Sequence, residues 1–178
     1  MQYFQKMKGV TTSPPRVSIV EMIWSWMGSF LGIAAVGLLH YQVFEGMDFV
    51  MIIGSFGASA VLIYGAIRSP LAQPRNLMGG HVISAVIGVA VFKLLGANMP
   101  LAAAVSVATA IFVMHATKTL HPPGGATALI AVIGSSKVHA LGFWYVLLPA
   151  GIGAAVMLVI ALAVNNLSRH RRYPEFWW

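Results

Sequence analysis

The chain has 178 residues and is too hydrophobic and too sparsely charged for a soluble globular protein. Hydrophobic residues make up 58% of it and charged residues 8%, whereas soluble domains carry about 25% charged residues. This composition indicates an integral membrane protein. Its length leaves room for five or six membrane spans of about 20 residues, and for no separate catalytic or nucleic-acid-binding domain.

The formal net charge is +7, from 11 Lys and Arg against 4 Asp and Glu. The basic residues lie in the termini and short loops, which follows the positive-inside rule of membrane proteins and predicts no nucleic-acid partner. Cysteine is absent, which excludes disulfides, thiolate metal sites and redox pairs. A cleaved signal peptide is not expected, because the first apolar run is too long for one.

Five long apolar runs predict transmembrane helices, and aromatic residues of the kind found at membrane interfaces open the first and the last of them. Trp24 and Trp26 open the first run, and Trp144 and Tyr145 open the last. The predicted spans cover residues 23–41, 49–67, 77–96, 101–117 and 143–164.

A sixth apolar segment, Thr119 to Ile133, contains the pair Pro122-Pro123 and is short for a span. Past the prolines it offers roughly 10 to 13 helical residues, or about 15 to 20 Å, so it either crosses as a short broken helix or re-enters on one side. If it crosses, nine of the eleven bases lie on the amino-terminal side, with Lys93 and Lys137 opposite. If it returns, the division is seven against four. The positive-inside rule therefore favours six crossings with both termini cytoplasmic, in a bacterial-type inner membrane.

The sequence contains an internal match at an offset of 68 residues. Residues 57–62, GASAVL, match residues 125–130, GATALI, and the same offset lays residues 77–96 onto 145–164. A three-span unit ends on the side opposite its start, so a second copy would be inverted, as in many transporters. The predicted fold is an all-α integral membrane protein of about six transmembrane segments in two inverted three-span repeats, two of the segments short or broken near the midplane. The predicted divisions are a cytoplasmic segment 1–22, repeats 23–96 and 97–166, and a basic cytoplasmic tail 167–178.

The prolines predict a helix that begins inside the membrane, because proline is favoured at the first helical position and excluded from the interior. The first N–H groups of such a helix lack internal partners and carry partial positive charge, which suits an anion. The residues proposed for this end are Pro122, Pro123, Gly124, Gly125 and Thr127.

The matching segment of the second span is expected to break in the same way from the opposite face. Its donors are the hydroxyls of Ser55 and Ser59 and the backbone of Gly57. The alternative is that these small residues are close-packing faces of ordinary transmembrane helices.

All four acidic residues, Glu21, Glu45, Asp48 and Glu175, lie outside the predicted spans or at their edges. Without an intramembrane carboxylate, cation transport is disfavoured. The expected gating or proton-linked residues are His81 and His121, with a loop contribution from Arg75, Asn76 and Lys118.

The strings HPPGGATAL from His121, GSFGASAVL from Gly54, PLAQPRN from Pro70 and GGH from Gly79 resemble the HPP family of integral membrane proteins. The likeness extends from about Pro14 to Asn166. It implies a compact multi-span membrane protein of a kind found in bacteria, fungi and plants, whose cyanobacterial and plastid members are linked to nitrite transport. The family is commonly described with four spanning helices, which differs from the six predicted above.

The leading hypothesis is therefore a transporter or channel for a small monovalent anion, with nitrite as the leading substrate. Its partners would be the anion and membrane lipids, and the Gly-rich faces are compatible with a homo-oligomer. No cofactor, metal or enzymatic activity is expected. The alternatives are a membrane scaffold or complex subunit, and an intramembrane metalloenzyme using His115 and His121, which lacks the HExxH pair such enzymes use.

Overall fold

The computed structural model describes residues 2–44 and 50–178, and every regular element within these ranges is helical. The loop positions Glu45 and Asp48 lie outside the described residues. In chain order the helices are α1 (Gln2–Gln5), α2 (Ile19–Leu39), α3 (Ser55–Ala60), α4 (Pro74–Leu95), α5 (Met99–Ala116), α6 (Pro122–Ile133), α7 (Ser136–Leu141) and α8 (Ile152–Leu167). Single π-helical turns extend α2 to Phe44 and α3 to Gly65, and a third, Val146–Gly151, leads into α8.

Among the described residues, four helices are long and apolar enough to cross a membrane. They are α2 with its extension, α4, α5 and α8 with its preceding turn, of 26, 22, 18 and 22 residues. Large apolar side chains such as Phe112 on α5 and Val159 on α8 are exposed on the outside of the bundle. Exposed apolar side chains along such helices are what a lipid-facing surface requires. The fold is that of an integral membrane protein.

The two remaining apolar helices are short. α3 has six residues and its extension five, while α6 has 12, so each is about 16 to 18 Å long and covers little more than half of the hydrocarbon core. The predicted second span over residues 49–67 is not one continuous helix, and a break in this segment was expected. In its described part, residues 50–53 are not helical, and Met51 and Ile53 alternate into the core in the manner of an extended chain. Hydropathy registers this apolar stretch but not its conformation.

Proline and asparagine set several helix boundaries. α4 and α6 both begin with proline after a residue in extended conformation, Gln73 and His121 respectively, as expected because proline disfavours the helical conformation before it. α4 thus begins three residues earlier than predicted. α5 begins after Asn98, whose side chain accepts a hydrogen bond from the Leu101 N–H at 3.3 Å.

The order long helix, short helix, long helix occurs twice, first as α2, α3 and α4 and then as α5, α6 and α8. The first long helix of each set packs against the last long helix of the other, α2 against α8 and α5 against α4. The two short helices also contact each other. The predicted division of the chain, the six crossings and the inverted repeat remain predictions.

Tyr64, in the π-helical extension of α3, joins three elements. It is fully buried, and its hydroxyl donates to the Met157 carbonyl on α8 at 3.0 Å. Its ring lies directly over Gly28 and Gly32 of α2, where a Cβ would collide with it. Glycine is therefore needed here because the ring and the α2 backbone approach so closely.

The basic tail is not simply a solvated run of charge. Arg171 is buried and donates to the Glu21 carboxylate at 2.6 and 3.1 Å from two nitrogens. The same guanidinium donates to Asn165 Oδ1 at 3.0 Å and to Ser25 Oγ at 2.8 Å. It therefore joins the beginning of α2 to the end of α8, while its neighbours Arg169 and Arg172 are exposed.

The rest of the tail returns to the loop before α4. The Tyr173 hydroxyl donates to the Ala72 carbonyl at 2.7 Å, and the Glu175 N–H donates to the Gln73 amide oxygen at 2.8 Å. Burial raises the pKa of the Tyr173 phenol, so it remains a neutral donor at physiological pH. The tail thus holds the segment PLAQPRN in place.

The glycine contacts generate a paired prediction. Gly32→Ala is expected to destabilise the protein by about 1 to 3 kcal/mol, because the new methyl group collides with the buried Tyr64 hydroxyl. Gly37→Ala on the same helix has nothing within 4 Å of its Cβ and is expected to be neutral or slightly stabilising. Thermal unfolding of both purified variants in detergent checks this, and equal Tm values would contradict it.

The tail generates a second prediction. Arg171→Met is expected to lower Tm, since it leaves Glu21 and Asn165 without their buried partner. The loss should lie below the roughly 3 to 5 kcal/mol seen for fully buried pairs, because the Glu21 side chain is 31% exposed. Arg172→Met, at an exposed neighbour, is the matched control. A Tm loss equal in the two variants would show that Arg171 acts only as a surface charge.

Candidate functional site

The candidate site lies between the short helices α3 and α6 and the long helix α4. The Ser59 hydroxyl of α3 is at its centre, 2.7 Å from His81 Nε2 and 2.9 Å from His121 Nε2. All three side chains are fully buried, and the two imidazole centroids are 5.2 Å apart. One hydroxyl oxygen therefore bridges two histidines from different parts of the chain.

His81 uses both ring nitrogens. Its Nδ1 lies 2.7 Å from the Thr127 hydroxyl of α6, and its Nε2 contacts Ser59. Thr127 and Ser59 are the residues that the 68-residue offset pairs in sequence. The two matching hydroxyls thus meet at opposite nitrogens of one imidazole.

His121 is oriented by the backbone. Its Nδ1 lies 2.8 Å from the carbonyl oxygen of Leu71, in the segment PLAQPRN. A carbonyl oxygen only accepts hydrogen bonds, so Nδ1 carries a proton, and in the neutral ring Nε2 is the acceptor that faces Ser59. Leu71 therefore fixes the tautomer of His121.

Thr127 extends the cluster to Ser55. Its hydroxyl oxygen lies 2.9 Å from Ser55 Oγ and 3.3 Å from the Pro123 carbonyl. The pairs Ser55 with Thr127 and Ser59 with His121 run in opposite directions along the chain, so α3 and α6 are antiparallel. The buried polar cluster consists of Ser55, Ser59, His81, His121 and Thr127.

Close backbone packing makes room for this polar cluster. Gly80 lies against His121, and a Cβ at this position would collide with the Cβ of that histidine. The Phe56 ring packs at the edge of His81, with centroids 5.3 Å apart, and lies against Gly153 of α8. Small residues on the long helices therefore allow the short helices to bring their hydroxyls to the imidazoles.

Two further members were not foreseen from the sequence. Tyr145 is fully buried and donates its hydroxyl to the Thr127 carbonyl at 3.0 Å, although it was expected at the membrane interface beside Trp144. Trp144 itself is exposed. Neither hydropathy nor spacing separates these adjacent aromatic residues, and no sequence signal indicated the Leu71 carbonyl.

The glycines proposed as backbone donors lie outside this cluster. The Gly57 N–H donates to the Gly54 carbonyl at 3.2 Å, and the Gly124 N–H donates to the His121 carbonyl at 2.7 Å. Gly57 faces outward, and Gly125 is partly exposed beside Val107. The polar groups that converge are side chains rather than the N–H groups of Gly57 and Gly124.

The three residues expected to contribute from loops, Arg75, Asn76 and Lys118, lie outside the buried polar cluster. Asn76 donates from Nδ2 to the Leu120 carbonyl at 2.8 Å, one residue from His121. In the described part of the chain, Arg75 Nε and Asn76 Oδ1 are the buried side-chain atoms without a hydrogen-bond partner. Lys118 is exposed and has a φ of 56°, so it marks the turn between α5 and α6.

The described ranges contain no group of three or more His, Cys, Asp or Glu side chains suited to a metal ion. His81 and His121 contact the same serine, and their other nitrogens face Thr127 and a backbone carbonyl. The arrangement is a hydrogen-bonded donor and acceptor cluster, and His115, the other histidine of the metal hypothesis, is exposed.

A polytopic α-helical membrane protein with a buried polar cluster at two short helices is the class that the fold and site define. Residues 14–174 match the family model described as HPP, transmembrane region, and the chain belongs to this family. The four long helices agree with the number usually described for it.

Two relatives from Dictyostelium discoideum are named simply as transmembrane proteins. One is 49% identical over 181 residues, covering 100% of this chain and 58% of the relative. The other is 45% identical over 183 residues, covering 100% of this chain and 64% of the relative. The chain thus spans about three fifths of the length of these relatives. No solved structure matches it.

The central position of Ser59 in the buried polar cluster leads to a stability prediction. Ser59→Ala is expected to cost about 1 to 3 kcal/mol, because it leaves His81 Nε2 and His121 Nε2 buried without a partner. Ser106→Ala is the control, since Ser106 is equally buried but bonds only the Ala103 carbonyl of its own helix. Thermal unfolding in detergent measures both, and a smaller loss for Ser59→Ala would contradict the role given to it.

Proposed function

We propose that the protein is a transmembrane transporter or channel for a small monovalent anion, with nitrite as the leading candidate. The observation that carries this proposal is the buried cluster of hydroxyl and imidazole groups where α3 and α6 cross. Membership of the HPP family supports a membrane transporter or channel, and nitrite follows from the link between this family and nitrite transport.

The chemistry of the cluster favours an anion over a cation. Its side chains supply O–H and N–H donors, and the hydrogen bonds among them involve no carboxylate. Of the acidic residues that the structure describes, Glu21 is paired with Arg171 and Glu175 is exposed in the tail. A metal cation is best bound by oxygen ligands of which some carry negative charge.

The short helices support transport rather than a purely structural role. A helix that ends inside the hydrocarbon region is tolerated where it is buried in protein or lines a water-filled cavity. We propose that the two three-helix sets cross in opposite directions, so that α3 and α6 meet near the midplane as in inverted-repeat transporters. Ser59 and Thr127 would then be equivalent donors, one from each set.

The cluster is closed, since its members are buried and bonded to one another. An anion would reach it when the short helices separate from α4. We propose entry from the side of Arg75, whose buried Nε lacks a partner and whose neighbour Asn76 is bonded beside His121. Loosening of the segment PLAQPRN around Arg75 would open this route.

We propose the type of membrane, the orientation of the termini and the contacts of the short helices from the charged and small residues. The basic termini and loops favour an inner membrane with both termini in the cytoplasm. The outward faces of the short helices carry small residues, among them Gly57 and Ala58. Such faces suit contact with lipid or with a second copy of the chain.

Liposome flux tests the proposal. Wild-type protein is expected to pass nitrite, and nitrate, formate and chloride are tested beside it to define selectivity. Thr127→Val keeps the shape but removes one donor, and we expect about a tenfold loss of nitrite flux, which corresponds to about 1.4 kcal/mol. The measurement is the initial rate of nitrite uptake, normalised to the amount of inserted protein.

Thr117→Val is the matched control, because Thr117 is exposed at the end of α5 and bonds the Val113 carbonyl. It should retain wild-type flux. Wild-type vesicles that pass none of the four anions above the protein-free baseline would overturn the transport function. A Thr127→Val protein with unchanged flux would contradict the role given to the buried polar cluster.

A further inference from the structure

The polar cluster forms a continuous chain of hydrogen bonds that ends at a backbone carbonyl. In order, the groups are Ser55, Thr127, His81, Ser59, His121 and the carbonyl of Leu71. Five contacts join these six groups, and each contact needs one proton between its two heavy atoms. The number of protons that the side chains can supply therefore decides the charge of the cluster.

The half of this chain nearest Leu71 has a fixed direction. His121 Nδ1 must donate to the Leu71 carbonyl, so the neutral ring accepts at Nε2 from the Ser59 hydroxyl. The Ser59 hydroxyl has a single proton, which it then donates to His121 Nε2. The remaining contact of Ser59, at 2.7 Å, requires His81 Nε2 to donate.

The other half has two possible directions. If Ser55 donates to Thr127 and Thr127 donates to His81 Nδ1, both imidazoles are neutral. If Thr127 donates to Ser55 instead, then His81 Nδ1 must donate as well. His81 would carry two protons and a positive charge. The hydroxyl proton of Ser55 thus selects between two states that differ by one proton.

We propose that this chain of hydrogen bonds couples the transport of each anion to the transport of one proton. This inference rests on the transport function proposed above. An anion that arrives at Ser55 accepts its hydroxyl proton as a hydrogen bond, and Thr127 then turns its own proton to Ser55. A hydronium ion that arrives with the anion gives its proton to His81 Nδ1, so that one O–H bond breaks, one N–H bond forms and neutral water is left. The imidazolium then balances the charge of the anion. No bond in the anion breaks and nothing is oxidised.

The groups around His81 offer no other counter-charge. α3 presents Ser59 and Phe56 to it, and α6 presents Thr127 and His121, while Tyr145 reaches the Thr127 carbonyl. In the part of the chain that the structure describes, the hydrogen bonds and ring contacts of His81 involve no Asp, Glu, Lys or Arg. A proton on His81 is therefore best balanced by the transported anion itself.

Proton movement with nitrite tests the coupling. Wild-type protein in liposomes is given an acidic exterior, with valinomycin and equal potassium on both sides holding the potential at zero. A trapped pH dye should report one proton entering with each nitrite, after subtraction of the rate in protein-free vesicles that nitrous acid itself produces. A potassium diffusion potential of either sign should leave the rate unchanged.

Ser55→Ala separates coupling from transport. Without the Ser55 hydroxyl, Thr127 can donate permanently to His81, so the ratio of protons to nitrite should fall towards zero and the remaining flux should follow the membrane potential. Ser106→Ala is the control and should keep the wild-type ratio. Wild-type flux driven by potential without protons, or an unchanged ratio in Ser55→Ala, overturns the inference and leaves anion transport standing. Wild-type vesicles that pass none of the four anions overturn the proposed function itself.

The charge state of His81 gives a readout independent of flux. In protein labelled with ¹⁵N-histidine, with signals assigned through His81→Gln and His121→Gln, the nitrite-free spectrum should show one protonated nitrogen in each of the two rings. Added nitrite at constant pH should convert His81 to the doubly protonated form, and Ser55→Ala should abolish this conversion. A His81 that stays neutral while nitrite is bound contradicts the coupling.

Discussion

The single proton of the Ser59 hydroxyl is the constraint on which the buried cluster depends. Inside a membrane protein, a polar group without a partner costs free energy that water cannot return, so each N–H and O–H must be given an internal acceptor. Ser59 faces two imidazole nitrogens and can donate to only one of them. The Leu71 carbonyl at the far side of His121 makes that choice, and it thereby sets the direction of both hydrogen bonds of Ser59.

The fold serves this constraint by bringing distant backbones together. Short helices allow hydroxyls near the middle of α3 and α6 to reach a histidine on α4, and glycine at position 80 lets His121 approach the same helix. The carbonyl that orients His121 belongs to PLAQPRN, and the tail holds this segment through the Tyr173 and Glu175 bonds. A contact at the end of the chain is thus connected, through one loop, to the tautomer of a histidine in the core.

Sequence patterns identified the class of fold, the long helices and the polar residues that converge, because these depend on composition, proline and motif. The helix start at Pro122 follows from proline chemistry alone. The extended stretch at residues 50–53, the burial of Tyr145 and the ion pair of Arg171 were not predictable in the same way. In hydropathy Tyr145 resembles the exposed Trp144, and Arg171 resembles its exposed neighbours, since only tertiary packing distinguishes them.

The distribution of charge now has a structural meaning. A cluster kept free of carboxylates favours anions, yet a neutral cluster gives an anion only hydrogen bonds in exchange for its lost hydration. A permanent positive charge would bind the anion more strongly but would be costly to bury when the site is empty. A histidine that becomes charged only when Ser55 turns towards a ligand avoids both costs. The electrostatics of a membrane interior therefore favour a site whose charge arrives together with its anion.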